Sequence, residues 1–345
     1  MIHSSNDRLQ AILEGHFDTR WGTPFWCAIR PELAFDPLKD IRCVEDLEQF
    51  PPFPTHELAT RPVTDFIPRR LHGELHRCIT SETGGTTGAP CRTVFLDHEF
   101  LEAFVTPFVE AARLTGFPRK VSWLFIGPSG PHIIGKAARA CATALDAIDP
   151  FMVDFDPRWV RKLPPDSMGR SRYMDHIFAQ ADAVLRSQDI GVLFSTPPVL
   201  RALGARLDPA TRERITGVHL GGMAADQDFW QRLGSEWFPN AVALSGYGNS
   251  LAGVSPQIRL DPAQPPEYFP HGSRLLFSTQ PERGSGAIRL HRLDDSTFMP
   301  NVHERDEAEL VDCPQAARAA GFQARGLRDP RPPASTVHAV QQGLY

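Results

Sequence analysis

No hydrophobic run in this 345-residue sequence approaches the roughly 20 apolar residues that a membrane-spanning helix requires. Residues 1–7 also lack the apolar stretch of a secretory signal peptide. These two absences argue against an integral membrane protein and against secretion. We therefore expect a cytoplasmic location and no membrane partner.

Cysteine is sparse, and positive charge is not in excess. The 6 cysteines are scattered without a Cys-x-x-Cys pair, which argues against a zinc site and a disulfide framework, and we assign no metal-ligating residues. The formal net charge of −5 gives no reason to expect nonspecific nucleic-acid binding. Both observations favour a function on small molecules.

The hydrophobic content of 41% and the charged content of 22% are ordinary for a globular protein. Between residues 121 and 244, short apolar runs of strand length alternate with helical patterns. Repeated βα units of this kind predict an α/β fold with a mostly parallel, buried sheet that helices cover. The predicted strands are residues 121–126, 147–154, 191–195, 217–220 and 241–244. The predicted helices are residues 99–114, 135–145, 174–187, 198–207 and 226–237.

The two ends of the chain differ from this central part. Residues 1–75 mix helical stretches with proline turns, whereas residues 265–312 have a strand pattern, clearest at 274–278 and 287–291. We expect a single domain over residues 1–345. Its parts are an N-terminal wrap (1–75), an α/β core with a phosphate loop (76–264), and a β-rich subdomain with a tail (265–345).

The densest functional signal is the glycine- and threonine-rich segment from Thr80 to Pro90. Glycine permits positive φ and a close approach of backbone N–H groups to an anion, and threonine hydroxyls add neutral donors. Residues 76–81 and 92–96 look extended, so the glycines join two predicted strands. The segment predicts a nucleotide phosphate loop; the alternative is a glycine-rich hairpin turn without a ligand. A Walker loop is disfavoured, because it needs a lysine after its last glycine and none follows Gly88.

A family resemblance follows from these residues. The stretch Thr83-Gly84-Gly85-Thr86-Thr87-Gly88-Ala89-Pro90 resembles the phosphate loop of the adenylate-forming enzymes, the superfamily of acyl-CoA synthetases, adenylation domains and luciferases. In that family a lysine closes the pattern, and Cys91 stands in its place here. Among subfamilies the sequence is most similar to the phenylacetate–CoA ligase type, and in its shortness to the truncated adenylate-forming protein of phenazine antibiotic biosynthesis.

The resemblance implies the fold of the large N-terminal-type domain of such an enzyme, with βα units around mostly parallel sheets and a smaller β-rich subdomain. It also implies ATP or AMP as ligands, together with Mg²⁺. The residues that it places on the nucleotide phosphates are Thr83, Gly84, Gly85, Thr86, Thr87 and Gly88.

In open α/β sheets, ligands lie beyond the carboxyl ends of strands, so residues that follow predicted strands are candidates for chemistry. Residues 127–135 follow the strand 121–126 and contain His132. The family has a similar His-x-x-Gly motif, in which the histidine faces the carboxylate being activated. His132 is thus a candidate catalytic residue; the alternative is a histidine with a structural role.

Residues 219–223 run from a predicted strand into a double glycine. Two glycines let a flat ring lie directly against the backbone. The resemblance assigns Gly221, Gly222 and Met223 to the adenine; the alternative is a tight strand-to-helix turn.

Residues 245–251 resemble the family's Tyr-Gly-x-Thr-Glu motif. The resemblance implies that Tyr247 stacks near the adenine and that Ser250 contacts the α-phosphate, with Gly248 and Asn249 between them. The glutamate that holds magnesium in the family is Leu251 here, and leucine offers no oxygen ligand. Glu82 is the candidate replacement.

Residues 288–294 resemble the Ile-Arg-Tyr-Arg-Thr-x-Asp motif of the phenylacetate–CoA ligase type. The resemblance implies that Asp294 binds both ribose hydroxyls, a role that suits the two oxygens of a carboxylate. Asp295 is the second choice, and the alternative is an acidic turn between strands.

These motifs occur in the family's order, and together they imply ATP-dependent activation of an aromatic carboxylic acid as an acyl adenylate. The implied catalytic residues are His132, Ser250 and Thr86. Only 51 residues follow Asp294 (345 − 294), and residues 330–345 contain no lysine. We therefore expect the family's C-terminal domain, which carries a catalytic lysine, to be absent. The adenylate would then pass to a partner reductase or acyl acceptor protein in a phenazine-like pathway.

Two alternatives stay open. The changes at Cys91 and Leu251 are also those of a catalytically weakened scaffold that binds a nucleotide or an acid. An unrelated α/β enzyme with a coincidental loop is the other alternative. The oligomeric state is open as well, with a homodimer as the candidate.

Overall fold

The computed structural model describes residues 5–84, 89–259, 261, 264–280 and 284–333. Its strands form a largely parallel sheet, an antiparallel sheet and a two-stranded hairpin. The strands are β1 (Cys78–Glu82), β2 (Arg92–Leu96), β3 (Ser122–Gly127), β4 (Phe151–Asp154), β5 (Ile190–Ser195), β6 (Gly217–Leu220), β7 (Val242–Asn249), β8 (Gly253–Pro256), β9 (Glu267–Tyr268), β10 (Leu275–Gln280), β11 (Ser285–Leu293), β12 (Phe298–Asp312) and β13 (Arg325–Arg331).

Helices cover the parallel sheet and make up most of the N-terminal region. The α-helices are α1 (Ser5–Phe17), α2 (Pro24–Ile29), α3 (Glu57–Thr60), α4 (Asp97–Phe100), α5 (Thr106–Thr115), α6 (Ile133–Ala144), α7 (Pro157–Lys162), α8 (Met168–Ser187), α9 (Pro197–Arg206), α10 (Pro209–Arg214), α11 (Gln227–Arg232) and α12 (Gln315–Ala319). The 3₁₀ segments are Arg30–Glu32, Val44–Gln49, Val63–Phe66 and Arg69–Arg77, and the π-helical turns are Leu101–Val105 and Leu233–Trp237. No helix in the described part of the chain combines the length and the hydrophobicity that crossing a membrane requires.

The largely parallel sheet has the strand order β4-β3-β5-β6-β7-β8. Strands β3 to β7 pair in parallel, and β8 pairs antiparallel with β7. The predicted α/β fold is therefore confirmed, and β6 has the predicted bounds. The predicted strand 147–154 is shorter in the structure: the chain turns at Asp146, whose φ is 61°, and the strand begins only at Phe151.

Both faces of this sheet are covered, and the strands are apolar for that reason. Every residue of β5 is buried. On β3, Leu124 and Ile126 belong to a core that includes α8 and α9, whereas Trp123 and Phe125 belong to a second core that includes α5 and α6. Because successive side chains of a strand point to opposite faces, a single apolar run supplies both cores.

The predicted helix over residues 99–114 is wrong in one respect, because a π-helical turn divides it into α4 and α5. Pro107 has no N–H to donate to the Ala103 carbonyl, which a continuous α-helix would use as acceptor. The Thr106 N–H bonds to the Leu101 carbonyl instead, five residues back. The predicted helix 226–237 likewise divides into α11 and a π-helical turn.

The antiparallel sheet has the order β10-β11-β12-β13-β9, which confirms the predicted β-rich region. The N-terminal residues pack on this sheet. Phe17, Trp26 and Phe50 contact the ring of Phe298, and Trp26 Nε1 donates to the Phe298 carbonyl at 3.0 Å. The division of the chain into three parts stays a prediction.

A buried charged cluster joins the hairpin to the antiparallel sheet. The Asp294 carboxylate accepts hydrogen bonds from Arg274 Nε at 2.9 Å and from Arg292 Nε at 2.6 Å. Arg292 Nη1 also donates to Thr93 Oγ1 at 3.0 Å and to the Leu251 carbonyl at 2.7 Å. Strand β2, the turn after β7 and strand β11 therefore meet on one guanidinium group.

The N-terminal helix and the loop after β11 are tied to the same cluster. The His16 ring lies 2.6 Å from Thr23 Oγ1 through Nδ1 and 2.8 Å from the Asp294 carbonyl through Nε2. Glu99 Oε1 accepts from the Ser296 N–H at 2.8 Å, and its Oε2 accepts from the Leu96 N–H at 2.8 Å. These hydrogen bonds give partners to a buried imidazole, a buried carboxylate and buried backbone groups, all of which are costly to bury without partners.

Burial alone would raise the pKa of Asp294, but Arg274 and Arg292 outweigh it and lower the pKa to about 2. A carboxyl group whose pKa is lower in the folded state stabilises the fold above its ordinary pKa of 3.8. This stabilisation is lost as the pH falls through the folded value near 2.

We predict that Asp294→Asn lowers the free energy of unfolding by about 3–5 kcal/mol at pH 7, because two buried guanidinium groups lose their counter-charge. The difference in the free energy of unfolding between the variant and the unsubstituted protein should become smaller as the pH falls from about 4 to about 2. Urea unfolding at several pH values measures both effects. Asp295→Asn is the matched control, since its side chain is 45% exposed and pairs only at the surface, with Arg70. Equal losses in the two variants would contradict the prediction.

Candidate functional site

The order of the parallel strands defines a crevice. From β3 the chain crosses to β4 on one side, and then returns to place β5 on the other side. At such a reversal the loops after the two strands diverge and leave room for a ligand at the carboxyl edge of the sheet. The loops in question contain His132 after β3 and Thr196 after β5.

A cavity of about 860 Å³, including its open mouth, lies at this edge. It brings together residues from several of the predicted motifs. These are Gly84, His132, Gly221, Gly222, Gly248, Asn249 and Ser250. Much of the remaining wall is aromatic or aliphatic, and includes Phe104, Ile133, Ile134, Ala137, Cys141, Phe194, Leu220 and Val254.

His132 is the residue before α6 and is only 6% exposed, yet it lines this cavity. Its Nε2 has no hydrogen-bond partner among the described residues. Burial, and then the nearby Arg158, lower the pKa of His132, so the imidazole is uncharged at neutral pH. A buried ring nitrogen without a partner is costly, and a ligand in the cavity would remove that cost.

Strands β1 and β2 form an antiparallel hairpin, with Glu82 opposite Arg92, as the extended flanks of the glycine-rich segment predicted. Two bonds close the base of the loop: the Thr83 N–H donates to the Cys91 carbonyl at 3.0 Å, and the Cys91 N–H donates to Thr83 Oγ1 at 2.9 Å. Gly85, Thr86, Thr87 and Gly88 lie outside the described residues. Their phosphate contacts stay predictions.

The side chain of Cys91, which the sequence resemblance aligns with a loop lysine, is directed toward the N-terminal region. Its Sγ donates to the Thr55 carbonyl at 3.2 Å. Burial raises the pKa of the Cys91 thiol, so the side chain carries no charge at neutral pH. The Cys91 side chain therefore supplies no positive charge to the loop.

Two arginines of α7 reach the hairpin instead. Arg161 Nη2 donates to the Gly84 carbonyl at 2.8 Å, and Arg158 Nη1 lies 2.9 Å from Glu82 Oε1. Arg92 holds the other oxygen of Glu82 at 3.0 Å. Sequence reasoning missed both α7 residues. The signal was present, because α7 begins directly after a predicted strand.

The two positions considered for magnesium, Leu251 and Glu82, do not form a metal site. Leu251 is buried in an apolar cluster and offers no oxygen. The expected substitute, Glu82, has one oxygen paired with Arg92 and the other with Arg158. A carboxylate neutralised by two guanidinium groups is a poor ligand for a hard cation.

Strand β7 separates the main cavity from a smaller one of about 350 Å³. Gly246 lines the main cavity, whereas Tyr247 lines the smaller one with Glu304 and Asp306. This alternation is the ordinary consequence of strand geometry. Burial, followed by the charges of Glu304 and Asp306, raises the pKa of Tyr247. Stacking of Tyr247 on an adenine stays a prediction.

Asn249 borders both cavities and organises the turn after β7. Its Oδ1 accepts from the N–H groups of Leu251 and Ala252 at 2.9 Å each, and its Nδ2 donates to Glu304 Oε1 at 2.5 Å. The Ser250 carbonyl accepts from the Ser81 hydroxyl at 2.5 Å. The turn is thus attached to the hairpin on one side and to β12 on the other.

The Gly221-Gly222 turn has the open backbone that the sequence indicated. Gly222 has a φ of 80°, a conformation that favours glycine. A Cβ added at Gly221 would come within 3.2 Å of the Phe194 ring. Both glycines line the cavity, whereas Met223, which is half-buried, is not part of the lining.

Asp294 does not line either cavity. It is fully buried, and its two oxygens accept from Arg274 and Arg292. A ribose at Asp294 would require these arginines to give way, so its ribose contact stays a prediction that the observed contacts do not favour. Asp295 is the more exposed of the two, and pairs with Arg70 at 2.8 Å.

Similarity to known proteins is found among solved structures, and it concerns the fold. No protein-family model and no curated protein sequence matches the chain. Among solved structures, the chain is similar to 2-hydroxyisobutyryl-CoA ligase in an open conformation with 2-HIB-AMP and CoA, with a TM-score of 0.64 and 13% identity over 94% of this chain and 72% of that one. The same ligase in its thioesterification state gives a TM-score of 0.64 and 14% identity over 94% of this chain and 66% of that one. The chain therefore has the fold of the large N-terminal domain of adenylate-forming enzymes.

The contact between Asn249 and Glu304 generates a prediction about pH. Burial, and then Asp306, raise the pKa of Glu304 to about 7 from an ordinary 4.5. A carboxyl group with a raised pKa contributes stability that is complete below pH 4.5 and is lost as the pH rises through 7. Glutamine does not ionise, so we expect the Glu304→Gln variant to keep its stability as the pH rises. The free energy of unfolding of the variant, relative to that of the unsubstituted protein, should therefore be higher at pH 8 than at pH 5.

Urea unfolding of both proteins at pH 5 and pH 8 measures the effect. Glu309→Gln, on the same strand but exposed, is the control and should keep the original pH dependence. A Glu304→Gln variant with an unchanged pH dependence would show that Glu304 is ionised like an ordinary surface residue.

Proposed function

We propose that this protein uses ATP to activate an aromatic carboxylic acid as an acyl adenylate, with release of pyrophosphate. The observation that carries the proposal is the unpartnered Nε2 of His132 in the wall of a largely apolar cavity. The cavity lies at the carboxyl edge of the sheet and includes Gly84, at the start of the glycine-rich loop. Solved structures of 2-hydroxyisobutyryl-CoA ligase, which share the fold, contain 2-HIB-AMP, and this supports the proposal.

In this reaction the carboxylate of the acid attacks the α-phosphorus of ATP, and the bond from that phosphorus to the pyrophosphate oxygen breaks. The acid is already a nucleophile, so the site needs positioning and positive charge rather than a general base. When Nε2 of His132 carries the ring proton, it donates a hydrogen bond to the carboxylate. Because the ring is uncharged, it orients the acid without forming an ion pair that would weaken the nucleophile.

The positive charge comes from α7 in this proposal. Arg158 and Arg161 take over, at the base of the loop, the role that a lysine in the position of Cys91 has in the family. Arginine suits this role, since its planar group binds phosphate oxygens in pairs. Ser250 contacts the α-phosphate, Gly221 and Gly222 lie against the adenine, and Thr86 and Thr87 hold the terminal phosphates.

The acyl group of the adenylate then passes to a partner, either a reductase or an acyl acceptor protein. The sequence resemblance supports this transfer to a partner. It also supports a setting in phenazine-type secondary metabolism. A mixed anhydride reacts readily with water, so the partner must dock where the cavity opens.

A second candidate function is a binding scaffold without turnover. Cys91 faces away from the loop, and Leu251 supplies no metal ligand. Each lost electrostatic contact costs about 3–4 kcal/mol of transition-state stabilisation. Calorimetry with ATP and with aryl acids, run beside pyrophosphate exchange, separates the two functions: binding without exchange favours the scaffold.

We predict that His132→Ala lowers the rate of acid-dependent ATP–pyrophosphate exchange by about 100-fold, the cost of one preorganised contact to a reacting group. The measurement uses a panel of aryl acids with labelled pyrophosphate. His98→Ala removes an exposed histidine and should leave the exchange unchanged. Full exchange in the His132→Ala variant would contradict the role of this residue.

The arginine role leads to a separate prediction. Arg161→Ala should weaken ATP binding about tenfold, since a charge-assisted hydrogen bond is lost, and the remaining affinity should depend less on salt. Isothermal titration calorimetry at two salt concentrations gives both values. Lys162→Ala, on the same helix but exposed, is the control for net charge. If Arg161→Ala and Lys162→Ala bind ATP with the same affinity, Arg161 does not supply the positive charge at the loop.

A further inference from the structure

His219, at the third position of β6, is a second buried histidine in the wall of the main cavity. Its ring contacts two aromatic rings in tilted geometry, with centroid distances of 4.6 Å to Phe108 and 4.1 Å to Phe194. Its Nδ1 lies 3.2 Å from the Leu244 carbonyl. The ring is therefore held by two aromatic contacts and at one nitrogen.

The hydrogen bond fixes which nitrogen carries the proton. A carbonyl oxygen only accepts, so Nδ1 must donate to Leu244. Burial lowers the pKa of His219 to about 4, so the ring is neutral across the physiological range. In a neutral imidazole with a proton on Nδ1, the other nitrogen, Nε2, carries a lone pair and accepts.

Nε2 of His219 is available to a ligand. His219 lines the cavity, and its Nδ1 is bonded to the Leu244 carbonyl, so Nε2 is the ring nitrogen that is left for a ligand there. The cavity wall also includes Phe104, Ala137, Cys141 and Phe194, so His219 adds a hydrogen-bond acceptor to a largely apolar surface.

We propose that His219 determines substrate specificity by accepting a hydrogen bond from a hydroxyl or amino substituent on the ring of the acid. This inference rests on the proposed function and specifies it further: the substrates are aryl acids that carry a hydrogen-bond donor. A site built to pair with a donor rejects analogues without one, because its own buried polar atom is then left unpaired. Rejection of this kind reaches about 10- to 100-fold for one neutral hydrogen bond.

The test compares acids of similar shape that differ in the donor. Hydroxy- and aminobenzoates are titrated against methyl-, fluoro- and methoxybenzoates by calorimetry, in the presence of AMP. We expect the best donor-bearing isomer to bind 10 to 100 times more tightly than its donor-free counterpart. Equal affinities across the panel, or no binding by any aryl acid, would overturn the inference.

Variants of His219 separate the hydrogen bond from packing. His219→Leu, which removes the acceptor at similar volume, should reduce the ratio of affinities to about 1, chiefly by weakening the donor-bearing acids. His219→Gln keeps an acceptor and should restore part of the ratio. Ile133→Val changes the shape of the wall without changing its polarity and should keep the ratio. Thermal unfolding checks that each variant is folded. A preference for donors that persists in His219→Leu would place the acceptor elsewhere.

Pyrophosphate exchange with the same acids distinguishes a failure of this inference from a failure of the proposed function. Donor-selective binding without exchange supports the role of His219 and counts against adenylation. Exchange that is equally fast with donor-free acids supports adenylation and rejects the role of His219.

Discussion

The buried ion pairs of Asp294 with Arg274 and Arg292 hold the hairpin and the two sheets of this protein together. Arg274 and Arg292 meet one carboxylate in the interior, and Arg292 extends to the hairpin and to the turn after β7. The hairpin, the turn after β7 and strand β11 therefore all depend on ion pairs that are buried away from water. The position of the β1–β2 hairpin relative to the two sheets is therefore set by buried charges, and not only by apolar packing.

The sequence predicted what depends on local pattern. Strand β6 has its predicted bounds, and the extended segments around the glycine-rich loop form the predicted hairpin. The predicted helix 99–114 missed the division before α5, although Pro107 lies in its interior, where a proline interrupts an α-helix. The role of Asp294 was inferred from a motif, and a motif does not record which arginines fold against it.

The residues of the candidate site were also predictable only in part. Residues after strands were predictable, since parallel strands end at a common edge, and His132, Gly221 and Ser250 do line one cavity. Their partners were not predictable. Arg158 pairs with Glu82 from 76 positions away, and Glu304 pairs with Asn249 from 55 positions away. Contacts of that separation are consequences of the completed fold, and no local spacing encodes them.

The bond from Ser81 to the Ser250 carbonyl has a mechanical consequence. Ser81 lies at the base of the glycine-rich loop, and Ser250 lies in the turn that follows β7. Any displacement of the hairpin at Ser81 must therefore displace this turn as well. The base of the glycine-rich loop and the turn after β7 are thus coupled mechanically.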